Sequence, residues 1–221
     1  MKGFCTSLLG LSFVAAGLLN ATAVTVEDLG NASGEYVTID VTGVGKLPVN
    51  AGILNLDVGG VSVQGFCIDP FHFSNGAMPG YAIVELTSAP KDHLMSAGTA
   101  LAIERLWGSY YSPSMSANDA AGLQIAFWEL TGGSDFKLCS NNDYGAAGFL
   151  SAVQSPNYDG PVADLVGLTG PGQDLAVLRS SVDRLSESVP ETGSTLALLT
   201  FALLSLSIAA RRVPQLAFTR A

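Results

Sequence analysis

The sequence predicts an α+β fold: an antiparallel β-sandwich or barrel-like core with a helical insert at about 92–153, between an N-terminal signal peptide and a C-terminal transmembrane sorting helix. Three observations predict it. The first half of the chain alternates branched apolar and polar residues in short runs divided by glycines. The middle changes to an apolar period of three and four residues. Each end carries an apolar run beside a short processing motif.

Lys2 precedes an apolar run from Ser7 to Leu19, and Asn20-Ala21-Thr22-Ala23 places small residues at the minus-three and minus-one positions of a cleavage site. The run falls short of the roughly 20 residues that span a bilayer. Residues 1–23 are therefore expected to be a cleaved signal peptide.

The strands come next. Tyr36–Thr42 alternates apolar and polar residues, as a half-buried strand does. Ile53–Val58, Gly59-Gly60 and Val61–Ile68 read as a hairpin turning at the glycine pair. Tyr81–Thr87 reads as a further strand. The helical insert follows. Asp92 to about Trp107 places Leu94, Ala97, Leu101 and Ile103 among polar residues and stops near Gly108. Ser116 is an N-cap, and Asp119 puts negative charge at the positive end of the helix dipole. From there Ala120, Leu123, Phe127 and Leu130 form a stripe ended by Gly132-Gly133. Tyr144–Val153 reads as a third, shorter helix. Beyond Ser155 the chain is rich in Pro, Gly and Asp and reads as loop with one last strand at Leu175–Leu178. These elements make one domain over 24–178, and 179–188 reads as a polar spacer.

The tail is a second processing signal. Val189-Pro190-Glu191-Thr192-Gly193 leads into an apolar stretch ending at Ala210, long enough to cross a membrane. Arg211-Arg212 would hold its far end on the cytoplasmic side, with 213–221 as a cytoplasmic tail. Val189-Pro190-Glu191 running into Ser194-Thr195-Leu196-Ala197-Leu198-Leu199 resembles the sorting signals of exosortase substrates, the PEP-CTERM-like proteins. Gln173-Asp174-Leu175 resembles the strand such proteins carry ahead of the signal. Thr192-Gly193 stands where that motif has a second proline, so Pro190–Gly193 also resembles the Leu-Pro-x-Thr-Gly signal of sortases. Either resemblance implies export, transient anchoring in the inner membrane, and transfer to the cell surface or extracellular matrix by an exosortase- or sortase-like transpeptidase.

Between Val24 and Pro190 there are six Lys/Arg against 18 Asp/Glu. A field of that sign repels phosphate backbones, so nucleic acid is not expected as a partner. There is no zinc-type His/Cys cluster, Gly-rich phosphate loop or Gly-x-Ser-x-Gly elbow, and neither a metal nor a cofactor is expected. Cys5 leaves with the signal peptide. Cys67 and Cys139 remain, and in an oxidising compartment two cysteines commonly make one disulfide. His72 and His93 raise a Cys–His hydrolytic pair with Cys67, but such a pair needs reach and an orienting third group that sequence does not supply. No catalytic turnover is expected.

Two segments carry chemistry. Phe66-Cys67-Ile68-Asp69 ends a strand, with Asp69-Pro70 also a plain turn former. Gln124-Ile125-Ala126-Phe127-Trp128 lies on the well-capped helix. Together they resemble the thioester domains of bacterial surface adhesins, over roughly 62–131. The resemblance implies an acyl link between the Cys67 sulfur and the Gln124 side chain, formed with loss of ammonia and later opened by an amine or hydroxyl on a target. It implies that Phe66, Asp69, Phe127 and Trp128 form the surroundings of that link, the aromatics keeping out water. Trp128 is one helical turn from Gln124, on the same side. Two functions are therefore expected in competition: a surface adhesin module that attaches covalently through Cys67–Gln124, or a passive structural or matrix-associated surface protein stapled by Cys67–Cys139.

Overall fold

The computed structural model describes residues 23–73 and 76–187. The expected signal peptide, apart from Ala23, and the sorting signal with its tail lie outside the described residues. Among the described residues no helix is long and apolar enough to cross a membrane.

The chain forms a mixed α/β protein built on one large antiparallel sheet. The elements are β1 (Val24–Val41), β2 (Gly45–Val58), β3 (Val61–Cys67), β4 (Ala77–Glu85), α1 (Ala97–Tyr110), α2 (Ala117–Gly132), β5 (Phe136–Leu138), α3 (Ala146–Val153), β6 (Leu165–Thr169), β7 (Leu175–Leu178) and α4 (Arg179–Glu187). Hydrogen bonding follows the order β2-β3-β7-β6-β4-β1-β5, and β1 also pairs with β2, so six of the strands follow one another round a ring. A sheet of this kind is compatible with the sandwich-like core expected.

β1 and β2 are much longer than the sequence suggested. Residues 24–35 include Glu27, Asp28, Gly30, Asn31 and Gly34, which break the alternation. The segment is strand because β2 supplies its ladder, with register shifts between Asp28 and Asn31 and between Asn31 and Ser33. Such irregularities re-aim side chains and bend a strand. β6 lies in the stretch expected as loop. All five of its residues are buried between β4 and β7, so it has no polar face and no period of two to detect.

The helices sit close to expectation at one end and depart at the others. Ser116 caps α2, its hydroxyl accepting from the Asp119 amide at 3.1 Å, and Gly133 ends it with a positive φ of 52°. α1 starts at Ala97 rather than near Asp92, because Ser96 is the cap that is used, accepting from the Thr99 amide. Leu94 is exposed ahead of it, and Ile103, Leu106 and Trp107 supply the buried face. The polar stretch expected as a spacer is α4. Val182 buries there against the core, and Arg179 pairs with Glu85 and Asp164 at 2.8 and 2.9 Å.

α2 positions the site. It packs on β1, β2 and β3 and is covered by α1 and α3. Every residue from Ala120 to Trp128 is buried. A helix enclosed on all sides is expected to be apolar all round. Gln124, 1% exposed in the middle of that run, is the exception.

Candidate functional site

A buried side-chain amide needs partners for both ends. Gln124 finds them on one residue, 57 positions away in sequence. Its Oε1 accepts from the Cys67 backbone N–H at 3.0 Å, and its Nε2 donates to the Cys67 carbonyl at 2.7 Å. The peptide N–H only donates and the carbonyl only accepts, so the two ends of the amide cannot be exchanged.

The sheet explains why those peptide groups are free. β3 pairs with β2 only as far as Leu54 and Gly65, after which β2 continues against β1. On its other side β3 pairs with β7 through Cys67 and Leu175, and Ile68 N–H donates to the Asp174 carbonyl at 3.0 Å. Peptide groups alternate in direction along a strand. Cys67 therefore turns its N–H and C=O toward the edge that β2 has left, and the Gln124 side chain fills the missing ladder position.

The Cys67 sulfur lies in the same pocket. It accepts from Trp128 Nε1–H at 3.2 Å and from the Asp69 N–H at 3.3 Å, and its thiol donates to the Asp69 carbonyl at 3.2 Å. Burial pushes the Cys67 thiol well above its ordinary pKa. The indole hydrogen bond pulls it back and the nearby Asp69 carboxylate pushes it further up.

Phe66 and Phe127 stand behind the site. Phe66 meets Trp107 and Phe127 edge-on, each at 5.2 Å between ring centroids. Phe66, Phe127 and Trp107 are 2% exposed or less. Trp107 completes this cluster and was not singled out from the sequence. Its place on α1 needs the tertiary arrangement to be seen.

Asp69 is buried and does more than turn the chain. One carboxylate oxygen accepts from the Phe71 N–H at 3.0 Å, and the other meets His72 Nδ1 at 2.7 Å. Asp174 was missed as a site residue. It is buried beside this group, its carboxylate accepting from the amides of Lys91 and Gly170. Burial raises its pKa against the pull of those two amides. An acidic residue heading an apolar strand, Asp174 before Leu175–Leu178, was the available signal.

Both histidines have partners other than Cys67. His72 is engaged by Asp69, and His93 stacks on Phe71 at 4.3 Å. Neither is among the hydrogen-bond partners of Cys67 in the described residues. Cys67 and Cys139 are both free cysteines in this structure. Cys139 lies beyond β5, its N–H bonded to the Thr38 carbonyl of β1.

A cavity of about 410 Å³ opens on Cys67, Gln124 and Trp128. β1 and β2 provide its far wall, including Asp28 and Asn31 from the irregular stretch of β1. Asn50 adds a buried Oδ1 that has no hydrogen-bond partner among the described residues. The wall holds one carboxylate, Asp28, and no Lys or Arg among the described residues. The sequence did not reveal this wall, because it depends on the extended first halves of β1 and β2.

Comparison with family models, curated proteins and solved structures finds no match.

The chemistry open to this arrangement follows from its geometry. A thiol and a carboxamide are held together out of bulk water. The amide oxygen already rests on an N–H, where it would gain charge if the carbon were attacked. A side-chain-sized cavity gives a second molecule access to them.

Proposed function

We propose that this chain is an exported surface adhesin module that attaches covalently to its target through an internal thioester between Cys67 and Gln124. As the Cys67 sulfur adds to the side-chain carbonyl carbon of Gln124, the thiol proton passes to the amide nitrogen, the C–N bond breaks, and ammonia leaves. An amine or hydroxyl from a protein or glycan then displaces the sulfur, leaving an amide or ester at Gln124 and a thiol at Cys67. Each molecule does this once, so the protein is a single-use cross-linker rather than an enzyme.

The observation that carries the reading is the two-point hold of Gln124 on the Cys67 peptide. A glutamine that only needed satisfying could bond any backbone edge. This one bonds the residue that carries the nucleophile, beside a cavity large enough to admit a target side chain. The Phe66-Cys67-Ile68-Asp69 and Gln124–Trp128 motifs support the same reading. Methylamine tests it: incubation should add the amine at Gln124 and release a titratable thiol at Cys67, and a protein inert to methylamine would refute it.

Delivery belongs to the same proposal. Residues 1–23 direct export and are removed, the apolar stretch before Arg211-Arg212 holds the chain briefly in the inner membrane, and an exosortase- or sortase-like enzyme cuts at Val189–Gly193. Peptide mass spectrometry of surface-exposed protein from the native host is expected to find no peptide covering 196–210. Recovering that segment in mature surface material would leave a simple membrane anchor instead.

A further inference from the structure

Building on the thioester reading, we infer that the Trp128 indole N–H is a catalytic group, the leaving-group donor that, with the Asp69 backbone N–H, takes up charge on the Cys67 sulfur when the acyl link opens. Both donors converge on that atom from different elements, Trp128 from α2 and Asp69 from the turn after β3, at 3.2 and 3.3 Å. Filling the space would not require this. The ring of Trp128 packs on Phe136 at 5.9 Å, an apolar contact that a phenylalanine would serve as well. Nor does burial alone force an indole N–H onto a sulfur here, since Trp107 is about equally buried and its Nε1 has no partner among the described residues.

The reaction shows what the donors do. An amine nitrogen adds to the Gln124 side-chain carbonyl carbon, and the carbon–sulfur bond then breaks with its electron pair passing to Sγ. The surplus proton on the nitrogen moves to the sulfur or to water. The products are an N-substituted amide and the Cys67 thiol. The sulfur is a weak acceptor while it is acylated and a strong one as it departs with negative charge. A donor fixed on it therefore binds the transition state more tightly than the ground state, which is the condition for catalysis. The need is acute in this pocket, because burial and the Asp69 carboxylate both oppose a thiolate, and the indole is the largest influence favouring one. By reversibility the same donors assist the ammonia-releasing step that forms the link.

Trp128→Phe in the purified protein tests the inference, with two readouts. In protein already carrying the acyl link, methylamine addition followed by intact mass should slow about 10- to 100-fold, the effect of losing one hydrogen bond to a charged group. The Cys67 thiol of the methylamine-opened product, titrated by its ultraviolet thiolate absorbance, should have a higher pKa than in the parent. A parent rate and a parent thiol pKa in the variant would overturn the inference while leaving the thioester intact. A wild-type protein that never loses ammonia would remove the thioester reading itself, and this inference with it. Should the variant fold poorly, the indole ¹⁵N–¹H resonance of Trp128 in the opened wild-type protein serves instead. It should shift as Cys67 ionises, and a resonance indifferent to that ionisation would count against the role.

Discussion

Cys67→Ala is expected to abolish methylamine incorporation completely while leaving the fold in place. The reason lies in which atoms hold Gln124. Both of its hydrogen bonds go to the backbone of residue 67, not to the sulfur, so the variant keeps the strand–helix join and loses the nucleophile with the two bonds it accepts from Trp128 and Asp69. Gln124→Ala should be equally inert to methylamine but less stable. It strips partners from a buried N–H and a buried C=O, each costing about 1–3 kcal/mol. Cys139→Ala should react like the parent, because that thiol has no part in the acyl transfer. Intact mass after methylamine treatment, with circular dichroism as a check on folding, separates the three. Incorporation surviving in Cys67→Ala would place the reactive acyl group elsewhere.

The largest effect on stability is expected at Phe66. Its ring is fully buried and lies edge-on to Trp107 and Phe127, with Tyr111 at 6.2 Å. Phe66→Ala should cost about 3–5 kcal/mol through lost burial and the cavity left behind. Set against a total stability of roughly 5–15 kcal/mol for a domain, that is a large share. Chemical denaturation should show the midpoint falling steeply. A loss below about 1 kcal/mol would mean that neighbouring rings close the gap and that the cluster is not the rigid backing of the site.

Much of the site was legible because its parts obey local rules. Ser116 and Asp119 mark the start of α2 by capping chemistry alone, and that fixes which turn carries Gln124 and that Trp128 follows it by one turn. The β2–β3 turn at Gly59-Gly60 is equally local, with positive φ at both glycines. What stayed hidden depends on partners distant in sequence. The strand character of 24–35 comes from β2, and β6 is strand because β4 and β7 flank it. The cavity wall at Asp28, Asn31 and Asn50 inherits that dependence. Val182 was hidden for a different reason: it and Leu185 stand three residues apart in a short polar run that reads as a spacer, yet they dock α4 on the core. The indole–sulfur bond could not be read at all, since spacing places Trp128 on the right side of a helix without saying where its nitrogen points.

The intact mass of the processed protein tests the thioester most directly. Loss of ammonia in acyl transfer makes the chain lighter than its sequence by about 17 Da. A Cys67–Cys139 disulfide would remove two hydrogens, about 2 Da, and free thiols would remove nothing. The account predicts the 17 Da deficit, discharged by methylamine with a new thiol at Cys67. A native protein at its full sequence mass, or lighter by only the two hydrogens, would contradict it.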